Sequence, residues 1–355
     1  MAFTSLKIER FTAFGAADFA LAPGVNVLIG ANGAGKSHVL KLLYVLHEAT
    51  RKYWNDLDAN LDFAAQLQAF LTETFLPHEA QVGRLVRRGQ RGSKTCKVAA
   101  SFGATGVKFS LTHRGTLSAP HPKDPGDADD RARRPAVFLP PREMLSLFPG
   151  FVSDWEERES TYDRTYYDLC LLLGRSPLRG AREGERKRLL EPLEAALGGE
   201  IHTQGGRFFV RSDDGEIEMP LLAEGLRKIA QLAYLVINGS LRARSLLLWD
   251  EPEANLNPEM SPLLASTVLG LARQGIQVVL ATHDYAFASE LSRQIEAARE
   301  GVPACAFFSL RRDEAGQRQV ERAEAFALLQ HNPILDAMAA LHDRELADAG
   351  ALEAP

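Results

Sequence analysis

Cysteine is scarce in this chain, and its three cysteines form no metal-binding or redox pattern. Cys96, Cys170 and Cys305 are far apart, and no C-x-x-C pair occurs among the 355 residues. A disulfide framework and a zinc site are therefore not expected, and a reducing cytosol is the simplest location. We accordingly predict a cytoplasmic protein.

Long apolar runs and an excess of positive charge are missing too. No stretch approaches the ~20 apolar residues that a membrane-spanning helix needs, and charged residues near the start exclude a secretory signal. The formal net charge of -5 argues against a protein that coats nucleic acid through bulk charge, although it permits a local basic groove. We expect a globular protein that does not act in a membrane.

Residues 30–37 (GANGAGKS) match the motif G-x-x-x-x-G-K-[ST] in full, between an apolar stretch and a helical pattern that runs to about residue 50. Such a loop directs backbone N–H groups at phosphates, its lysine neutralises the β- and γ-phosphates, and its hydroxyl holds Mg²⁺. We therefore predict ATP and Mg²⁺ as cofactors, with Ser37 as a metal ligand. The predicted nucleotide-binding residues are Gly30, Asn32, Gly33, Ala34, Gly35, Lys36, Ser37 and His38.

Two further apolar stretches end in polar residues that suit phosphate hydrolysis. Residues 246–252 (LLLWDEP) place Asp250 and Glu251 at the end of a predicted strand, and residues 281–284 (ATHD) place His283 just after the predicted apolar strand 277–280. We predict that Asp250 holds Mg²⁺, that Glu251 polarises the attacking water, and that His283 reaches the γ-phosphate or that water. The alternatives are a solvated acidic turn and a structural histidine.

Lys36, Asp250–Glu251 and His283 come in the order of the Walker A, Walker B and switch motifs, and the chain resembles ABC-type ATPases. Residues 6–14, 23–30 and 251–258 (EPEANLNP) are similar to the RecF/SMC/OLD branch, whereas transporter ATPases usually carry Ser-Ala-Leu-Asp after Walker B. The resemblance covers residues 1–50, 136–150 and 220–310. It implies an α/β P-loop NTPase fold, namely an ABC-type ATPase head with an antiparallel β subdomain and a helical insertion, which hydrolyses ATP to ADP and phosphate.

Two other motifs of that branch are present with departures. Residues 223–228 (AEGLRK) resemble the signature motif with Ala223 in place of serine, and Gly225 would face ATP bound to a second copy; the alternative is an ordinary helix start. Residues 139–143 (LPPRE) resemble the Q-loop region without its glutamine. There Arg142 or Glu143 would face the nucleotide, unless the segment is a plain strand end.

The middle of the chain is not assigned by the resemblance. Its patterns predict strands at residues 82–88, 94–102 and 106–112, an exposed loop at 119–134, helices within 151–200 and a hairpin at 201–220 that turns at 213–215. Residues 84–97 carry six basic side chains and no acidic one. This pattern suits either contact with the phosphate backbone of a nucleic acid or a solvent-exposed sheet edge that its charge protects from aggregation. The predicted parts are residues 1–150 and 221–355 as the two halves of the head, with residues 151–220 as the insertion and hairpin.

The resemblance implies an ATP-driven switch in DNA maintenance or anti-phage defence. It implies a homodimer or higher homo-oligomer, and we expect any effector nuclease or toxin to be a separate chain because no TOPRIM domain follows the last predicted strand. One alternative is a RecF-like repair ATPase that binds DNA directly. Another is an ATP-binding scaffold with little turnover, which the intact Asp250–Glu251 pair disfavours. A transporter motor is disfavoured by residues 251–258 and by the insertion.

Overall fold

The fold is known from a computed structural model of the chain. It describes residues 2–55, 62–87, 95–103, 105–123, 134–157, 161–180, 183–298, 301, 304–313 and 316–352. Within these ranges no helix combines the length and the apolar character that crossing a membrane requires.

Strands and helices alternate from residue 224 to residue 312, whereas the chain opens with three consecutive strands. The strands are β1 (Phe3–Phe11), β2 (Phe14–Ala20), β3 (Val25–Gly30), β4 (Thr95–Phe102), β5 (Thr105–Thr112), β6 (Leu117–Ser118), β7 (Val137–Leu139), β8 (Glu200–Gln204), β9 (Arg207–Ser212), β10 (Gly215–Glu218), β11 (Leu246–Asp250), β12 (Gln277–Thr282), β13 (Cys305–Arg312) and β14 (Arg318–Ala323). The helices are α1 (Lys36–Asn55), α2 (Phe63–Phe75), α3 (Phe148–Glu157), α4 (Arg164–Leu173), α5 (Gly184–Leu197), α6 (Glu224–Ile237), α7 (Ser261–Arg273), α8 (Tyr285–Ala297) and α9 (Pro333–Leu352).

A six-stranded sheet with the order β14-β13-β3-β12-β11-β7 positions the three main motifs. Neighbouring strands run parallel, except that β13 and β14 are antiparallel. The carboxyl ends of parallel strands lie at one edge of a sheet, which is where open α/β sheets bind ligands. Because β3, β12 and β11 are adjacent, the residues that follow them are brought together at that edge.

Each central strand is buried on both faces. In β11, Leu247 and Trp249 belong to one hydrophobic core, while Leu246 and Leu248 belong to the other. The first core contains residues of α4 to α8, and the second contains α1, α2 and the antiparallel sheet β2-β1-β4-β5-β6. A strand buried on both sides reads as a continuous apolar run, which is why the sequence indicates these strands so clearly.

The hairpin predicted at residues 201–220 is confirmed and gains a third strand. Strands β8, β9 and β10 form a small antiparallel sheet, with the predicted turn between β9 and β10. The additional turn lies at Gly205 and Gly206, where φ is 57° and 75°. Two successive positive φ angles are typical of the tight turns that join antiparallel strands, and glycine adopts them without strain.

The strand predicted at residues 82–88 is wrong over its described part. Val82–Leu85 is a 3₁₀ turn, and only Val86 forms an isolated bridge, to Phe11. Val82 and Leu85 are both buried and three residues apart, so their spacing fits one 3₁₀ turn. Residues 88–94 lie outside the described ranges, as do residues 124–133 of the predicted exposed loop.

Candidate nucleotide and magnesium site

The loop at residues 30–37 joins β3 to α1, as predicted. Gly33 and Gly35 have φ angles of 72° and 103°, which side chains of L residues rarely adopt. Lys36 is only 6% exposed, and its Nζ donates a hydrogen bond to the Gly30 carbonyl oxygen at 2.5 Å. The ammonium is therefore held against the same loop whose amide groups open α1, the usual place for an anion.

Asp250 and Ser37 form the part of the site that suits a divalent cation. The Asp250 carboxylate is hydrogen-bonded to Ser37, and its Oδ1 atom is buried with no hydrogen-bond partner in the described chain. Burial raises the pKa of Asp250, and the Ser37 hydrogen bond opposes that rise. A hydroxyl beside a carboxylate oxygen that lacks a donor fits Mg²⁺, which takes oxygen ligands in P-loop sites.

Glu251 lies next to His283, although the two residues follow different strands. Glu251 has a φ of 50°, a left-handed conformation that costs a residue other than glycine about 1–2 kcal/mol. Its N–H donates to the Ala281 carbonyl at 2.9 Å, and its carbonyl accepts from Lys228 Nζ at 3.2 Å. These bonds hold the backbone, while the side chain stays 30% exposed with Oε1 3.3 Å from His283 Nδ1.

Glu253 completes this arrangement, and the sequence did not single it out. Its Oε1 atom accepts hydrogen bonds from Thr282 Oγ1 at 2.7 Å and from the His283 N–H at 3.3 Å. Burial raises the pKa of Glu253, and the Thr282 hydrogen bond opposes that rise. The contacts fasten the loop after β11 to the end of β12. The available signal is a third carboxylate two residues after Glu251.

Gly225 lies in the first turn of α6, where it packs against the loop that follows β11. A Cβ atom at this position would lie 2.5 Å from the Asn255 carbonyl oxygen, so only glycine fits without a shift of backbone. Ala223 precedes the helix and gives it no side-chain hydrogen bond. The role of Gly225 toward ATP on a second copy stays a prediction.

The segment that resembles a Q-loop is attached to α6. Glu143 is buried, and its Oε1 lies 3.0 Å from Arg227 Nε. The Met144 N–H donates to Gln231 Oε1 at 2.7 Å. Arg142 is exposed. The structure thus places Glu143 in an ion pair with the signature-like helix.

A basic groove of about 590 Å³ opens beside the phosphate-binding loop. Arg318 is 7% exposed and donates to the Gly33 carbonyl. Burial lowers the pKa of Arg318, and the charges of Arg312 and Arg87 lower it further. No acidic side chain is among the described residues that line the groove. Its basic lining residues are His38, His78, Arg84, Arg87, Arg312 and Arg318.

Sequence comparisons relate the chain to two groups of proteins. A family described as "AAA domain, putative AbiEii toxin, Type IV TA system" matches residues 25–289. The DNA replication and repair proteins RecF of Pectobacterium atrosepticum and Edwardsiella ictaluri are each 54% identical over 46 residues. These matches cover 13% of this chain and 13% of each relative, so the similarity to RecF is confined to a short segment.

Solved structures of SMC heads share the fold. The SMC head domain from Thermotoga maritima has a TM-score of 0.50 at 14% identity, and covers 92% of this chain and 100% of its own. The SmcHead bound to the C-winged helix domain of ScpA has a TM-score of 0.54 at 12% identity, with 91% and 98% covered. These likenesses confirm the predicted ABC-type head fold. Since the AAA-domain match spans more than half of the chain, the chain belongs to that AAA-domain family.

Proposed function

We propose that the chain binds Mg²⁺–ATP at residues 30–37 and hydrolyses it to ADP and phosphate. The observation that carries this proposal is the buried Asp250 oxygen without a donor, placed beside Ser37 and at the same sheet edge as Glu251 and His283. A buried polar atom without a partner costs free energy unless a ligand satisfies it.

The residues divide the chemistry between them. Lys36 would exchange its bond to the Gly30 carbonyl for the β- and γ-phosphates, with the amides of the loop around them. Glu251 would accept a hydrogen bond from the attacking water, and His283 would orient Glu251 or that water. Bound Mg²⁺ supplies charge neutralisation for the phosphates, with Ser37 and Asp250 as its protein ligands.

ATP is also proposed to act as a switch between two copies of the chain. In the closed form, residues 30–37 of one copy would face the helix start at Gly225 of the other. The γ-phosphate would then stabilise only the closed form, so hydrolysis would open it. The first turn of α6 has no side-chain cap from Ala223, which leaves its amide donors for an anion.

The biological role that we propose is a cytoplasmic switch in DNA maintenance or anti-phage defence, paired with a separate effector. The toxin–antitoxin description of the matching family and the RecF similarity support this range of roles. A second candidate is a RecF-like ATPase that binds DNA directly, and the basic groove beside Gly33 favours it. Four arginines without a carboxylate among the described lining residues suit a phosphate backbone.

The test of ATP binding and hydrolysis is a comparison of wild type with Lys36→Ala. Mg²⁺-dependent phosphate release and binding of a fluorescent ATP analogue are expected for the wild type and should be lost in the variant. Lys7→Ala, which removes an exposed cation paired with Asp18, is the control and should behave as the wild type. Equal nucleotide affinity in wild type and Lys36→Ala would refute the site.

A further inference from the structure

A polar stripe runs along one face of α1, starting at Ser37. Its members follow one another at intervals of four and three residues, which puts them on the same face of a helix. Beyond Ser37 the stripe is buried or half-buried, so its polar groups need partners. Glu48 and Arg51 pair with each other within α1, at 2.7 Å, whereas the other two find partners at the start of α4 and within it. The stripe consists of Ser37, Lys41, Tyr44, Glu48 and Arg51.

Helix α4 of the insertion docks on this stripe through two carboxylates. Lys41 Nζ lies 2.6 Å from Asp163 Oδ2, and the two side chains are 25% and 9% exposed. The other Asp163 oxygen, Oδ1, accepts from the Thr165 N–H at 2.9 Å and so caps the start of α4. The Tyr44 hydroxyl donates to the Asp168 carboxylate.

Arg164 fastens the same helix to α2. It donates to the Glu73 carboxylate, and its Nε lies 3.3 Å from Asp168 Oδ2. Its guanidinium carbon is also 4.0 Å from the centre of the Phe70 ring, within the range of a cation–π contact. The charged groups of α4 are thus held by α1 and α2 together, and the position of Asp163 relative to Lys41 is fixed.

Lys41 is also within electrostatic reach of the predicted magnesium ligands. It lies one helical turn after Ser37. Residues four apart on one face of a helix have Cβ atoms about 5–6 Å apart, so Lys41 is a neighbour of Ser37 as well as of Asp163. The charge of Lys41 is also among those that act on the Asp250 carboxylate. Lys41 therefore lies next to both the start of α4 and the proposed metal pair.

We propose that Asp163 is a positioning residue for Lys41, and that α4 thereby sets the Mg²⁺ affinity of the Ser37–Asp250 pair. This inference rests on the proposed Mg²⁺–ATP site. With Asp163 in place, the Lys41 ammonium is held and neutralised. Without that carboxylate, the cation repels Mg²⁺ and competes with it for Asp250, because charges interact strongly where water is excluded.

The test is the Mg²⁺ dependence of fluorescent-ATP binding and of phosphate release in the full chain. Asp163→Asn should raise the Mg²⁺ concentration that gives the half-maximal effect, which we call the midpoint, about threefold or more. The turnover of this variant at saturating Mg²⁺ should stay within about twofold of wild type. Asp163→Glu should return the midpoint toward wild type. Adding Lys41→Met to Asp163→Asn should remove the shift, since the repelling cation is gone.

Two controls separate the possible failures. Asp18→Asn breaks an exposed ion pair with Lys7, at 3.3 Å, and should leave the midpoint unchanged. If Asp163→Asn does not fold, Lys41→Met alone should lower the midpoint. If the wild type binds ATP with Mg²⁺ and the variants have the same midpoint as the wild type, the inference about Asp163 is wrong and the proposed function stands. A wild type with no Mg²⁺-dependent nucleotide binding would overturn the proposed function and this inference with it.

Discussion

The Nδ1 atom of His283 lies 3.3 Å from Oε1 of Glu251. The contact exists because β11 and β12 pair in parallel, with Asp250 opposite Ala281, so that the residues after the two strands are neighbours. A carboxylate with an imidazole at hydrogen-bonding range suits the polarisation of a water molecule, because each group can hold a proton for the other.

Gly225→Ala is expected to lower the free energy of unfolding by about 1–3 kcal/mol, the usual range for overpacking. The new methyl group would lie 2.5 Å from the Asn255 carbonyl oxygen and would displace the loop after β11, so ATP turnover should fall as well. Denaturant unfolding and steady-state phosphate release measure the two effects. Gly174→Ala is the matched control, because its Cβ would meet no described atom closer than 3.6 Å. Equal losses in both variants would contradict the packing role of Gly225.

The buried pair His47 and Glu48 makes stability depend on pH. Burial lowers the pKa of His47 from 6.5 to about 4. Burial alone would raise the pKa of Glu48, but the His47 hydrogen bond and the Arg51 charge lower it to about 2. Both folded-state values lie below the ordinary ones, so the unfolded chain takes up these protons first. The stability from His47 is thus complete above about pH 6.5 and is lost as pH falls toward 4, by up to about 1.4 kcal/mol per pH unit.

Denaturant unfolding at a series of pH values between 7 and 4 tests this expectation. His47→Gln should show a shallower loss of unfolding free energy over that interval, since the titrating group is gone. His342→Gln, at an exposed position on α9, should follow the wild type. A wild type and a His47→Gln variant with the same pH profile would show that His47 does not carry the effect.

The basic groove is expected to contact DNA if the second candidate function holds. Arg87→Ala combined with Arg312→Ala should weaken DNA binding and flatten its salt dependence by about one unit of slope per lost phosphate contact. Fluorescence anisotropy at several salt concentrations measures both. Lys187→Ala with Arg293→Ala is the control, because these cations are exposed and do not line the groove. Unchanged DNA binding with weaker ATP binding would instead assign the groove to the nucleotide.

The sequence predicts the sheet and the motif residues because both depend on local patterns. Each motif follows an apolar run, and parallel pairing brings the ends of such runs together without further information. Local patterns do not predict the pair Lys41–Asp163, since it joins residues 122 apart and forms only where the start of α4 meets α1. The error at Val82 has a similar origin. A Cβ at Gly83 would lie 2.4 Å from the His113 carbonyl oxygen, and nothing in the local pattern indicates that close approach.

Glu251→Gln is expected to hold two copies of the chain together when ATP is bound. The amide keeps the size of the side chain but cannot take a proton from water, so nucleotide and Mg²⁺ binding should persist while hydrolysis stops. The γ-phosphate then remains in place and continues to stabilise the closed form. Asp284→Asn is a useful control, since it changes a carboxylate that caps α8 through the Phe287 N–H. It should hydrolyse ATP and should not remain closed.

The mass of Glu251→Gln in solution with ATP, with ADP and without nucleotide tests the central claim most directly. Light scattering coupled to size-exclusion chromatography should show a particle of twice the chain mass with Mg²⁺–ATP and of one chain mass in the other two conditions. A variant that binds ATP tightly, yet has the same mass in all three conditions, would contradict an ATP-closed dimer that Glu251 opens.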